Sequence, residues 1–135
     1  MHRRELSEYQ NIYIKKRLKI DLKFCLNFNI KSAIWQSLHG TKNRRKWQNL
    51  VGYDVLTLKK HLQKTMPKGY TWNDYLAGNL HIDHKIPISV FNFIKPEHID
   101  FKRCWALKNL QLLPAKDNLK KSNKLTRSFQ PSLAL

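Results

Sequence analysis

Residues 80–84, Leu-His-Ile-Asp-His, alternate apolar and polar side chains, and Pro87 stops any continuation three residues later. Period-two alternation fits a half-buried strand. A long connection follows, roughly Lys85 to Leu107, with Pro87, Pro96 and several aromatics. Asn-Leu-Gln-Leu-Leu, from Asn109, reads as a second short strand. Pro114 then precedes Ala-Lys-Asp-Asn-Leu-Lys-Lys, a polar helix start. The last third of the chain is therefore strand, long loop, strand, helix.

Upstream the period changes. Ile30, Ile34 and Leu38 recur at four-residue spacing, with Gly40 where a helix would end. Asp54 can cap a further helix whose Leu58, Leu62 and Met66 share a face until Pro67. In residues 1–26, Ile12, Leu18, Ile20 and Phe24 suggest a looser helical stripe. Arg44, Arg45 and Lys46 form a basic loop with Trp47 at its edge. Residues 66–79 are turn-rich and aromatic, and residues 126–135 read as a flexible tail. The expected organisation is one compact domain: a basic, mainly helical extension over 1–79 packed on a core over 80–125.

Charge limits the partners. The 135 residues carry 26 Lys plus Arg against 9 Asp plus Glu, a net +17. Residues 1–64 hold fifteen basic and four acidic side chains, so +11 sits there. Such self-repulsion calls for a polyanion, with nucleic acid first and an anionic membrane surface second. No run approaches the roughly 18 apolar residues of a membrane span. The N-terminus has no apolar signal core behind its charges. Cys25 and Cys104 are isolated and no CxxC pair exists, which excludes a four-cysteine zinc site. Two reduced thiols in a cytoplasmic protein are expected.

Asp83, His84, Asn109, Asn118 and Lys121 carry the chemistry. Singly, each is an ordinary strand-end, turn or helix-surface residue. Together they suit phosphodiester hydrolysis, which needs a base for water and a metal to neutralise charge on phosphate and leaving oxygen. Histidine suits the base. An aspartate oxygen and an asparagine carbonyl suit Mg2+, and a lysine can hold phosphate as a point charge. Neighbours on a regular strand face opposite ways. Asp83 and His84 can serve one site only if the strand ends there, which Lys85-Ile86-Pro87 provides.

The stretches HIDHKIPISVF, LKNLQLLPAKDN and NLKKSNK resemble the HNH endonuclease family. The resemblance implies an α+β fold whose ββα-metal core has two short antiparallel strands plus a helix. It implies His84 as general base, Asp83 and Asn118 as metal ligands, and Asn109 as the residue that ties down the long loop and orients the histidine. Lys121 is similar to the lysine three residues beyond the third signature position. The nine-residue step from Asn109 to Asn118 agrees with the HNH module of RNA-guided CRISPR nucleases. The upstream stretches SAIWQSLHG, KWQNLVGYDVLTLKKHL and GYTWNDYLAGNLHIDH look like the leader of small phage and bacterial HNH proteins, so the similarity covers about residues 30–124.

The pattern departs from the family at Asn118, where many relatives have histidine. This shifts expectation towards one Mg2+, with Mn2+ or another transition metal as alternatives. The cysteine–zinc scaffold of some relatives is also missing, so no structural zinc is expected and packing must hold the core. Trp72, Tyr75, Phe91, Phe93, Phe101 and Trp105 are its expected pins. Double-stranded DNA is the expected partner, contacted by Arg44, Arg45, Lys46, Lys120 and Lys121. No membrane is expected, and a dimer is compatible with double-strand cutting. A bacterial cytoplasm, or a host cell carrying a phage, is the expected setting. His81 shares strand parity with Asp83 and could approach the metal, while His61 and His98 read as surface or packing histidines. Two alternatives stay open: a basic nucleic-acid-binding protein that no longer cuts, and a structural zinc domain using His81, Asp83 and His84.

Overall fold

The computed structural model describes residues 2–39 and 45–121. Helix α1 spans His2–Ile20 and α2 spans Leu22–Ser37. The break between them is capped by Asp21, whose carboxylate accepts from Phe24 N at 3.1 Å and from Arg17 Nε at 3.1 Å. These two hydrogen bonds hold the Asp21 carboxyl below the usual carboxylate range, the backbone bond more than the guanidinium. The stripe expected from Ile12 to Phe24 does not form, because Ile12 and Ile20 lie exposed. The break at Asp21 places Phe24 on a different helix. The side of α1 that packs carries Ile14, Arg17 and Leu18.

In α2 the four-residue spacing holds, and Ile30, Ile34 and Leu38 are buried. The short α3, Trp47–Val51, ends at Gly52, whose φ of +83° is left-handed and unfavourable for a side chain. Asp54 caps α4, Val55–Lys64, by accepting from Thr57 N at 2.8 Å. Leu58 and Leu62 on α4 are fully buried, while Met66 lies beyond the helix and packs only partly. The turn-rich segment contains α5, Trp72–Leu76, closed by a capping box between Thr71 and Asp74.

Strand β1, Leu80–His84, pairs antiparallel with β2, Leu110–Pro114. The register sets Asp83 opposite Gln111 and His84 opposite Leu110. The long connection is less irregular than expected. It holds 3-10 turns at Ile88–Val90 and Leu107–Asn109 and a helix, α6, at Ile99–Cys104. Residues 115–121 are helical and follow β2 directly. The described residues form an α+β fold, mostly helical around one two-stranded sheet.

One cluster of buried residues joins the two halves. It takes Leu26, Ile30 and Ile34 from α2, Leu58 and Leu62 from α4, Leu80 from β1, Leu110 and Leu112 from β2, and Phe101, Cys104 and Trp105. Tyr75 is also buried, and Trp72, Phe91 and Phe93 pack against the cluster from its edge. Polar pins fasten α4 to β2: His61 Nε2 lies 2.8 Å from Leu110 O, and Thr65 Oγ1 accepts from Leu112 N at 2.9 Å. Among the described residues no helix is long and apolar enough to cross a membrane.

Candidate functional site

Side chains two apart on a strand share a face, and side chains three apart on a helix share a side. The sequence supplies both spacings, and the fold brings them together. His81 and Asp83 on β1 face Asn118 and Lys121 of the closing helix. Asn118 Nδ2 lies 3.2 Å from His81 Nδ1, and Lys121 Nζ donates to Asp83 Oδ2 at 2.6 Å. Lys121 also donates to the backbone oxygens of His84, at 2.8 Å, and Lys85, at 3.4 Å. Its ammonium therefore caps the end of β1 as well as pairing with the carboxylate.

Asp83 is buried, at 8% exposure, so its charge needs partners. Lys121 supplies one. Gln111 supplies another, donating from Nε2 to the same Oδ2 at 2.9 Å. Both bonds go to one oxygen. Gln111 is the residue that sequence reasoning missed. Its position directly across from Asp83 follows from the strand register, which local patterning does not specify.

His84 has the opposite parity and packs against Trp105, ring centroids 4.5 Å apart at 80°. Its Nε2 is buried with no hydrogen-bond partner among the described residues. Burial pushes the His84 pKa down to about 4; the neighbouring Asp83 opposes this and Lys121 reinforces it. The ring is thus uncharged at neutral pH, and it is a weaker base than the unperturbed imidazole anticipated from sequence.

Asn109 is buried and ties the long loop at both ends. Its Oδ1 accepts from Ile86 N at 2.8 Å, and its Nδ2 donates to Ile86 O at 3.1 Å and to Cys104 O at 2.9 Å. Its backbone oxygen accepts from Lys85 N at 2.7 Å, just past the end of β1. The amide spends its hydrogen-bonding capacity on backbone, so the residue is a positioning group.

Asp83, His84, Asn118 and Lys121 line one open cleft of about 320 Å³, with Pro87, Ile88 and Ser89 on its rim. His84 also borders a second cleft, of about 360 Å³, walled by Ala33, Tyr75 and Trp105. The donor set in the first cleft suits a hard cation: a carboxylate, plus an amide carbonyl left free when Asn118 Nδ2 turns to His81. Among the described residues no three His, Cys, Asp or Glu side chains gather. Lys121 on Asp83 Oδ2 occupies part of that coordination space.

The expected DNA contacts divide. Lys120 and Lys46 are exposed, and Lys121 belongs to the cleft. Arg45 donates from Nη1 to Glu97 Oε1 at 2.8 Å, so the long loop already holds that cation. Arg44 lies outside the described residues. Trp47 is buried and donates from Nε1 to Asn27 Oδ1 at 2.9 Å, so it is not a free stacking surface. His98 accepts from Ile94 N at 3.2 Å within the long loop. Compared with protein-family models, curated proteins and solved structures, the chain matches none.

Proposed function

We propose that the chain is a metal-dependent DNA endonuclease of the HNH type, with a ββα-metal core formed by β1, β2 and the closing helix. The supporting observation is the meeting of Asp83, His84, Asn118 and Lys121 on one cleft beside a loop tied down by Asn109. Asp83 and the carbonyl of Asn118 would hold one divalent cation, Mg2+ by donor type, which supplies charge neutralisation at the phosphate and the leaving oxygen.

The protein's own groups do the rest. Neutral His84 accepts the proton of the attacking water. Its Nε2 is sealed against the core, so Nδ1 is the nitrogen assigned to this task. A phosphate entering the cleft favours the charged imidazolium and so opposes the lowering of the His84 pKa by burial, Lys121 and a cation on Asp83. Lys121 guides the phosphate as a point charge once its hold on Asp83 is shared. Asn109 keeps residues 85 and 86 in place and so fixes where β1 ends and where the His84 ring sits.

The test is incubation of the purified chain with supercoiled plasmid in Mg2+, Mn2+ or EDTA. Nicked circles with metal and none with EDTA are expected. Tight plasmid binding without nicking in any metal would favour the second reading, a basic nucleic-acid-binding protein that no longer cuts. The net charge of +17 supports that reading equally well.

A further inference from the structure

Helix α1 presents two unlike sides. The packed side carries Ile14, Arg17 and Leu18 and meets α2 and α5. Arg17 pins it there, through Asp21 and by lying 4.3 Å above the Phe24 ring, and its Nη1 also donates to Tyr13 Oη at 3.5 Å, at the border between the two sides. The opposite side carries Tyr9, Ile12, Tyr13, Lys16 and Ile20, at the three- and four-residue steps of one helical face. Its apolar members are far out of the core: Tyr9 is 73% exposed, Ile12 55%, Tyr13 55% and Ile20 80%. An exposed ridge of this kind, apolar except for Lys16, marks an interaction surface.

We infer that this ridge pairs with the same ridge of a second copy of the chain, antiparallel, about a two-fold axis near Ile12. The charges select this occupant. Glu8 lies four residues before Ile12 and Lys16 four after it, both exposed. In an antiparallel pair Glu8 of each copy falls beside Lys16 of the other, while Ile12 meets Ile12 at the centre. A surface that complements itself when turned end for end is what a two-fold interface requires. Tyr9 lies along the aliphatic stem of the second copy's Lys16, and the flanking Tyr13 closes the apolar centre. A phosphate backbone on this ridge would meet Lys16 but also Glu8 and four exposed apolar side chains, so duplex DNA fits it less well than a second copy does. The pairing does not depend on what the cleft does.

Sedimentation equilibrium of the full chain, at about 0.15 M salt to screen the distant charge, tests it. A concentration-dependent dimer is expected. Ile12→Arg should raise the dissociation constant about tenfold or more. Glu8→Lys and Lys16→Glu should each weaken the dimer a few-fold, and the double variant Glu8→Lys/Lys16→Glu should recover it. Should Ile12→Arg alter the circular dichroism, Tyr9→Ser on the same ridge gives the second reading of the same surface. A monomer at every concentration overturns the inference. So does a dimer indifferent to Ile12→Arg and Tyr9→Ser, or a double variant no better than the singles. If Glu8→Lys instead tightened DNA binding in a monomeric chain, the ridge would belong to the nucleic acid.

Discussion

Lys121 Nζ lies 2.6 Å from Asp83 Oδ2, and this contact joins the closing helix to the end of β1. A cation from one element neutralises a buried carboxylate of another. The pair is partly screened, with the lysine side chain 26% exposed, so its loss costs less than that of a fully buried pair. Lys121→Met should lower stability by about 1–3 kcal/mol in metal-free buffer. Added Mg2+ should restore part of it by taking over the carboxylate. Thermal unfolding with and without Mg2+ measures both effects, and a variant that Mg2+ fails to stabilise would remove Asp83 from the proposed metal site.

Asn109→Ala removes three side-chain hydrogen bonds to backbone, at Ile86 N, Ile86 O and Cys104 O. Stability should fall by about 1–3 kcal/mol, because groups near the core lose their partners. Cleavage should fall as the end of β1 loosens, while metal affinity persists. Chemical denaturation and titration calorimetry together decide. Lost metal affinity at unchanged stability would make Asn109 a ligand.

His84→Gln should keep DNA and metal binding and lower nicking by about 10² to 10⁴, the range of a positioned general base. Asp83→Ala should lose metal affinity along with activity. Wild-type nicking by His84→Gln would place the base elsewhere.

Asn118→His tests the other proposed ligand. An imidazole in place of the amide favours nickel, cobalt or zinc over magnesium. The order of metals that support nicking should shift accordingly, and an unchanged order would leave Asn118 outside the coordination shell.

Glu97 holds Arg45 at 2.8 Å. Glu97→Gln should free that guanidinium for phosphate, tighten DNA binding and steepen the slope of log K against log salt by about one unit. Replacing Arg44, Arg45 and Lys46 together by Ala should flatten the same slope. Salt titration of binding reads both, and indifference to all four changes would move the DNA track away from this loop.

Where the determining interactions are local, the sequence is enough. The alternation of Leu80 to His84, the Asp54 cap, the four-residue step from Ile30 to Leu38 and the stop at Pro87 each act within a few residues. So does the three-residue step that puts Asn118 and Lys121 on one side of a helix. Other features required distant segments to meet. Helix α6 is six residues inside a proline-bearing loop, too short to show a period, and it persists because Phe101 and Cys104 are buried. Gln111 reaches Asp83 only through strand register. The Arg45–Glu97 pair spans 52 residues. The low His84 pKa comes from burial, which is a property of the assembled core and of no short stretch of chain. Charge and period were thus written locally, while desolvation and pairing were decided only when the helices closed over the sheet.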